Sequence, residues 1–253
     1  MQLKQVKAVI TGGVSGLGLA AARHLKSLGG AITLLDINDK AGEQVSKELG
    51  AEYIRTDVTS ESAVTDALDR ARTGMGGLNV AVNCAGVIGA GRVLGREGPM
   101  DLDFFANVIR INLVGTFNVA KAAAALMEQN EPFEDDERGV IINTASVAAY
   151  EGQIGQAAYA ASKGGVVGMT LPIARELARC GIRMVTIAPG VFWTPMVDEM
   201  PEQIQASLSA SVPYPKRLGR PEEFAAMAAH IVENVYLNGT TIRLDGATRL
   251  APK

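Results

Sequence analysis

The 253-residue sequence has few cysteines, few aromatic residues and no long hydrophobic run. Its two cysteines, Cys84 and Cys180, form no CxxC pair and are too few for a disulfide framework, so we expect buried thiols in a reducing compartment. No apolar run reaches the roughly 18 residues of a transmembrane helix. These absences argue against a disulfide-rich secreted module and against a membrane protein, and no metal site is expected.

The sequence also has no strong charge of either sign. It carries 24 Lys and Arg against 27 Asp and Glu, a net charge of −3, and no basic run. A nucleic-acid or anionic membrane surface is therefore not favoured. Only five residues precede the first apolar run, Val6–Ile10, which leaves no room for a cleaved signal, so we expect a cytoplasmic protein.

Short apolar runs alternate with helical patterns along most of the chain. The predicted strands are Val6–Thr11, Ala31–Asp36, Tyr53–Thr56, Leu78–Asn83, Val140–Ser146, Ile182–Ala188 and Thr240–Leu244. The predicted helices are Gly16–Leu28, Asp39–Leu49, Ser60–Thr73, Phe104–Glu128, Gln156–Arg179 and Pro221–Val232. Strands that are apolar throughout indicate a sheet covered on both faces. We predict an α/β fold: one domain, residues 1–253, with a doubly wound parallel sheet of the Rossmann type.

Three segments interrupt this alternation. Val87–Leu102 is rich in glycine, and Glu128–Arg138 is an acidic surface loop. Val191–Leu218 has four prolines and follows a predicted strand, where such sheets place ligand sites, so it is the predicted substrate loop. Its apolar residues form either a lid over a substrate or ordinary packing of the loop; they are Val191, Phe192, Trp193, Met196, Val197 and Met200.

A glycine-rich turn lies between the first strand and the first helix. Gly12, Gly16 and Gly18 let the backbone approach a pyrophosphate, while the helix N-terminus supplies N–H donors. Asp36 ends the second strand, where a carboxylate binds ribose hydroxyls and repels a 2′-phosphate, which favours NAD over NADP. Asp57 and Val58 lie where they can flank an adenine ring. Small residues that let a cofactor pass close to the backbone follow the fourth strand: Asn83, Cys84, Ala85 and Gly86.

Tyr159 and Lys163 are four residues apart in a predicted helix and therefore share one face. A nearby ammonium favours the phenolate, so Lys163 is expected to lower the pKa of Tyr159 and to make it a general base or acid. Ser146, after the fifth strand, can donate a hydrogen bond to a substrate oxygen. The sequence thus predicts an oxidoreductase that interconverts a secondary alcohol and a ketone.

The order and spacing of these motifs resemble the short-chain dehydrogenase/reductase family. The matching residues are Thr11–Gly18, Asp36, Asp57, Asn83–Gly86, Asn112, Ser146, Tyr159, Lys163, Pro189 and Gly190. The resemblance implies that Asn112 kinks its helix and helps to hold a water on the proton path from Lys163. It also implies that Pro189, Gly190 and Thr194 contact the nicotinamide. Cys84 is a departure, since many members have asparagine there.

A narrower resemblance is to the type 2 3-hydroxyacyl-CoA dehydrogenases, a group also described as 17β-hydroxysteroid dehydrogenase type 10. It rests on Val140–Ala149, Gly155–Gly165 and Gly168–Arg175. It implies a homotetramer that oxidises (S)-3-hydroxyacyl-CoA, with Ser146 and Gln156 touching substrate. The residues that it implies touch NAD are Ser15, Leu17, Asp36, Asp57, Val58, Cys84, Tyr159, Lys163 and Phe192.

Other functions stay open at this stage. A hydroxysteroid dehydrogenase fits the same motifs, and so does a 3-oxoacyl-carrier-protein reductase, although Asp36 and the acidic Glu128–Arg138 segment disfavour the latter. A non-catalytic NAD-binding interaction protein is the alternative outside enzymes. Val87–Leu102 is shorter than in the animal members, which indicates a bacterial, cytoplasmic protein; the mitochondrial matrix is the alternative location.

Overall fold

A computed structural model describes residues 1–96, 98–194, 197 and 202–252. Seven parallel strands form one sheet in the order β3-β2-β1-β4-β7-β8-β9. The strands are β1 (Lys7–Thr11), β2 (Ala31–Asp36), β3 (Glu52–Arg55), β4 (Val80–Asn83), β7 (Gly139–Thr144), β8 (Ile182–Pro189) and β9 (Thr241–Leu244). The order reverses between β1 and β4, so the predicted doubly wound sheet is confirmed.

Helices cover both faces of this sheet. They are α1 (Gly16–Ser27), α2 (Asp39–Leu49), α3 (Glu61–Met75), α4 (Leu102–Ile109), α5 (Gly115–Met127), α6 (Ala148–Glu151), α7 (Ala157–Leu177), α8 (Glu202–Ala210) and α9 (Pro221–Glu233). Residues of α1, α2 and α9 join one buried apolar cluster, and residues of α3, α5 and α7 join the other. Every residue of β4, β7 and β8 is buried, as expected for strands covered on both sides.

Local signals fix where several helices begin and end. Asn38 and Ser60 precede α2 and α3, and each side chain accepts a hydrogen bond from a backbone N–H of the first turn. Gly50 and Gly76 end the same helices in the left-handed region. Among the helices in the described ranges, none combines the length and apolar character needed to span a bilayer.

The structure corrects three element predictions. The single helix predicted over Phe104–Glu128 is two α-helices joined by one π-helical turn, Arg110–Val114. The strand predicted to reach Ser146 ends at Thr144, because the backbone turns there into the short helix α6. The Val87–Leu102 segment contains a small antiparallel pair, β5 (Leu94–Gly95) and β6 (Gly98–Pro99), which the sequence did not indicate.

Candidate active site

The carboxyl ends of β1, β2, β4 and β7 border a cavity of about 610 Å³. Its walls include twelve residues from the predicted motifs or beside them: Gly12, Ser15, Gly16, Leu17, Gly18, Asp36, Val58, Cys84, Ala85, Gly86, Val87 and Thr194. Sequence reasoning missed five further wall residues: Leu35, Ile37, Thr56, Ile111 and Thr144. Leu35, Thr56 and Thr144 lie at or next to the carboxyl ends of strands. Because such sheets place ligand sites at these ends, position in the strand would have been enough to predict these three residues.

The glycine-rich turn leaves no space for a side chain at Gly12 or Gly18. A Cβ at Gly18 would lie 2.3 Å from the carbonyl oxygen of Gly12, and one at Gly12 would lie 2.9 Å from the backbone nitrogen of Ala85. Gly12 and Gly16 also have positive φ angles of 62° and 50°. The N-terminus of α1 opens onto the same cavity, so backbone N–H groups and the helix dipole favour a phosphate there. The turn therefore fits a dinucleotide.

Asp36 is part of the cavity wall. Its Oδ1 accepts hydrogen bonds from the backbone nitrogens of Ile37 (2.8 Å) and Asn38 (3.1 Å), which fixes the side chain at the end of β2. A fixed carboxylate at this position suits a ribose diol and disfavours a 2′-phosphate.

The two residues predicted to flank an adenine differ in placement. Asp57 is exposed, and its Oδ1 accepts from the backbone nitrogen and hydroxyl of Thr59, at 2.9 and 2.8 Å. Those two hydrogen bonds hold the pKa of Asp57 below its usual value. The Asp57 side chain thus organises the turn, whereas Val58 is part of the cavity wall.

Asn83 and Cys84 face different surroundings. The buried Asn83 amide donates to the Oδ1 of Asn143 in the neighbouring strand, at 2.9 Å. The Cys84 thiol lines the cavity and lies 3.3 Å from the Thr144 hydroxyl. Burial raises the pKa of Cys84 to about 11, so the side chain is a neutral thiol at physiological pH and not a nucleophile.

The residues after β8 also differ in their surroundings. Thr194 reaches the cavity beside Gly16, and Gly190 packs against the backbone of Asp245, 2.9 Å from a Cβ built on the glycine. The Phe192 ring is buried against Gly219 and lines a second, apolar cavity of about 260 Å³. Within the predicted lid, Val197 is buried, Trp193 is 41% exposed, and Met196 and Met200 lie outside the described residues.

Asn112 is completely buried in the π-helical turn. Its Oδ1 accepts from the backbone nitrogen of Val87 at 2.8 Å, and its Nδ2 donates to the Val87 carbonyl (2.8 Å) and to the Ser162 hydroxyl (3.0 Å). Nothing in the local sequence distinguishes a π-turn from a regular α-helix here. The turn aims the amide at the loop after β4 and joins that loop to α7.

Lys163 is buried in α7, and its Nζ donates to the carbonyl oxygen of Thr144 at 2.7 Å. Desolvation lowers the pKa of Lys163 to about 8. A Cβ built on Gly86 would lie 3.0 Å from Asn112 Oδ1 and 3.7 Å from Lys163 Nζ. The absence of a side chain at Gly86 therefore keeps the space between the amide and the ammonium open.

Tyr159 lies one turn before Lys163, and the Lys163 Nζ is 5.8 Å from the centre of its ring. Burial raises the pKa of Tyr159, and a hydrogen bond with Ser146 opposes that shift. This direction is opposite to the one expected from Lys163, because desolvation of the phenolate is the largest influence on the pKa of Tyr159. A further positive charge beside the ring would favour the phenolate.

Ser146 and Gln156 complete the group around Tyr159. The Ser146 Oγ accepts from the backbone nitrogen of Ala148 at 3.1 Å, which anchors the first turn of α6. The Gln156 Oε1 accepts from the backbone nitrogen of Gln153 at 3.0 Å. The structure brings together a phenol, a hydroxyl and an ammonium, and the ammonium donates to Thr144, a wall residue of the cavity that suits a dinucleotide. Such a group is what proton transfer coupled to dinucleotide redox chemistry requires.

Comparison with known proteins agrees with this geometry. The profile of the short chain dehydrogenase family matches residues 6–205. The chain is 52% identical to 3-hydroxyacyl-CoA dehydrogenase type-2 of Homo sapiens, an alignment that covers 99% of this chain and 97% of that protein. It is 50% identical to the Drosophila melanogaster protein of that name, covering 99% and 100%. A crystal structure of 3-hydroxyacyl-CoA dehydrogenase type-2 from Mycobacterium avium is 44% identical, with a TM-score of 0.96 over 100% of this chain and 99% of that one.

Proposed function

Because the chain belongs to the short-chain dehydrogenase family, we propose that it is an NAD-dependent 3-hydroxyacyl-CoA dehydrogenase that oxidises (S)-3-hydroxyacyl-CoA to 3-oxoacyl-CoA. The observation that carries the proposal is the grouping of Ser146, Tyr159 and Lys163, with Lys163 bonded to Thr144 in the wall of the cavity that Gly12, Gly16 and Gly18 also line. The likeness to 3-hydroxyacyl-CoA dehydrogenases over the full chain supports the substrate class.

The family uses a nicotinamide dinucleotide, and Asp36 is the reason to propose NAD rather than NADP. Its carboxylate is held at the end of β2 in the cavity wall, where a 2′-phosphate would meet a fixed negative charge. Gly12, Gly16 and Gly18 would hold the pyrophosphate. The other proposed contacts are Ser15, Leu17, Asp57, Val58, Asn83, Cys84, Ala85, Gly86, Tyr159, Lys163, Pro189, Gly190, Phe192 and Thr194.

Each of the proposed catalytic residues has its own role in alcohol oxidation. The Tyr159 phenolate takes the proton of the substrate hydroxyl, and Ser146 donates a hydrogen bond to the substrate oxygen. When bound, the dinucleotide would supply the hydride acceptor, and its positive ring would offset the burial that raises the pKa of Tyr159. Lys163, held by Thr144, and Asn112 then relay the proton away from the site.

A homotetramer is part of the same proposal. Several large apolar side chains on α4, the π-helical turn, α5 and α7 are between 39% and 76% exposed: Leu102, Phe104, Val114, Phe117 and Leu171. The elements that carry these side chains contact one another, and exposed apolar side chains on neighbouring elements are typical of a subunit interface. Light scattering of the purified protein should give about four times the chain mass of 26.5 kDa.

A panel of substrates tests the proposed activity. It contains (S)- and (R)-3-hydroxybutyryl-CoA, longer (S)-3-hydroxyacyl-CoA esters, a hydroxysteroid, a 3-oxoacyl-carrier protein and a simple secondary alcohol, each with NAD and NADP. We expect kcat/KM with an (S)-3-hydroxyacyl-CoA and NAD to exceed every other combination by at least about tenfold, a difference of about 1.4 kcal/mol. A higher kcat/KM with the steroid or the carrier protein would favour a hydroxysteroid dehydrogenase or a carrier-protein reductase instead. A higher kcat/KM with NADP would contradict the proposed preference for NAD.

A further inference from the structure

The segment from Ser146 to Tyr159 carries all three side chains that are proposed to contact substrate. Its two ends are anchored in the fold by β7 and α7, but its middle is held by residues 243–252. We call residues 249–252 the C-terminal segment. Nothing in the proposed mechanism requires this connection.

Glu151, at the end of α6, is the main point of attachment. Its carboxylate accepts from Arg243 of β9, at 2.8 Å to Oε1 and 3.2 Å to Oε2, and pairs with Arg249 at 3.3 Å. The backbone nitrogen of Leu250 donates to Oε2 at 3.3 Å. The side chains of Glu151 and Arg243 are only 22% and 24% exposed, so solvent screens this pair less than an ordinary surface ion pair. The Arg243 hydrogen bond holds the pKa of Glu151 below its usual value.

Two further contacts join the C-terminal segment to the residues just before the helix of Tyr159. The Gln153 side chain donates to the carbonyl oxygen of Ala251 at 2.9 Å, and the backbone nitrogen of Ile154 donates to the carbonyl oxygen of Pro252 at 3.0 Å. The backbone nitrogen of Gln153 in turn donates to Gln156 Oε1. A chain of contacts therefore runs from β9 to Glu151, from Glu151 to the C-terminal segment, and from that segment through Gln153 to Gln156.

We propose that Glu151, Arg243 and the C-terminal segment form a brace that sets the position of Gln156 and thereby determines substrate affinity. Glu151 and Gln153 are positioning residues, since they act through Gln156 and do not touch the reacting atoms. Among the residues that the structure describes, the hydrogen bonds and ion pairs of Glu151, Arg243 and the C-terminal segment do not reach Gly12, Gly16, Gly18 or Asp36, so we expect the main effect of the brace on the substrate side of the site. The substrate part of this inference rests on the proposed function.

The test compares Glu151→Gln with a matched control, Glu48→Gln. The first change keeps the shape of the side chain and removes the charge that faces Arg243 and Arg249. The second removes the partner of Arg23, an ion pair between α1 and α2 that is remote from Gln156. We expect KM for (S)-3-hydroxybutyryl-CoA to rise about three- to tenfold in Glu151→Gln, with kcat and the NADH dissociation constant unchanged. The control should match the wild type in all three values.

Two further measurements separate positioning from a general loss of stability. In a Gln156→Ala background, Glu151→Gln should raise KM no further, because its effect passes through Gln156. Hydrogen–deuterium exchange of the peptide covering residues 152–158 should be at least about tenfold faster in Glu151→Gln and unchanged in Glu48→Gln. An unchanged exchange rate would overturn the brace, and so would an equal KM increase in both backgrounds. If wild-type protein does not oxidise any 3-hydroxyacyl-CoA, the proposed function fails, while the exchange experiment still decides whether the brace exists.

Discussion

The cofactor side and the substrate side of the candidate site are built in different ways. The cofactor side is made largely of backbone: strand ends, glycines and a helix N-terminus form a cavity whose shape leaves no room for added atoms at Gly12 and Gly18. The substrate side consists of side chains on the single segment Ser146–Tyr159, which is held by ion pairs and hydrogen bonds to residues 243–252. Added side chains should therefore damage the cofactor side most, whereas loss of the ion pairs with residues 243–252 should affect the substrate side.

Adding one methyl group to the glycine-rich turn should have the largest effect on cofactor binding. In Gly18→Ala the new Cβ would lie 2.3 Å from the Gly12 carbonyl oxygen, so the turn must shift. We expect a loss of about 1–3 kcal/mol in the free energy of unfolding and NADH binding weakened by more than about tenfold. Chemical denaturation and a fluorescence titration with NADH measure the two effects.

Gly168→Ala is the control for that change. Gly168 lies within α7 with no atom within 4 Å of a built Cβ, so the variant should bind NADH normally and be stabilised by about 0.5–1 kcal/mol. Equal NADH affinities in the two variants would show that the glycine-rich turn tolerates a side chain at Gly18. The claim that the cofactor side is sensitive to steric changes would then be wrong.

Lys163 lies between the cofactor side and the substrate side of the site. Its titration should make the free energy of unfolding depend on pH. Burial lowers its pKa from 10.5 to about 8, so between these values the unfolded chain binds more protons than the folded protein. The contribution of Lys163 to stability is therefore least favourable below pH 8 and improves as the pH rises toward 10.5.

A Lys163→Met variant removes this contribution. We expect the stability of the wild type relative to Lys163→Met to increase by about 2 kcal/mol between pH 8 and pH 10, since one pKa unit corresponds to about 1.4 kcal/mol. Urea unfolding of both proteins across this range gives the difference. A constant difference would mean that Lys163 keeps its ordinary pKa in the folded protein.

Replacing the Asp36 carboxylate should alter cofactor choice with a smaller effect. In Asp36→Ser the fixed negative charge at the end of β2 is lost, so repulsion of a 2′-phosphate disappears along with the bond to the ribose. We expect the ratio of kcat/KM for NAD to that for NADP to fall about tenfold. Steady-state kinetics at saturating substrate measure this ratio, and an unchanged ratio would remove Asp36 from the recognition of the ribose.

Most of the fold follows from patterns that act locally. The apolar strands and the amphipathic helices between them predicted the parallel sheet, because burial on both faces requires continuous apolar runs. The π-helical turn around Asn112 was not predictable in this way, since its residues fit a regular helix and only the bonds to Val87 and Ser162 distinguish it. The small β5–β6 pair has no apolar alternation and was missed for the same reason.

Within the candidate site, motif spacing predicted residues that the fold places near one another, but it did not predict all of their surroundings. The glycine spacing and the four-residue interval between Tyr159 and Lys163 are local patterns, so they could be recognised in the sequence. The burial that raises the pKa of Tyr159 depends on the whole fold, and so do the packing of Phe192 on Gly219 and the attachment of Glu151 to Arg243. Contacts between residues far apart in sequence leave no local pattern.

The catalytic role of Tyr159 can be tested most directly with a Tyr159→Phe variant, which removes one hydroxyl and keeps the ring in place. Turnover of (S)-3-hydroxybutyryl-CoA with NAD is measured alongside NADH binding. The account predicts that kcat falls by about 10²- to 10⁴-fold while the NADH dissociation constant stays within about twofold of the wild type. A variant that binds NADH and turns over at the wild-type rate would contradict the assignment of Tyr159 as the acid and base.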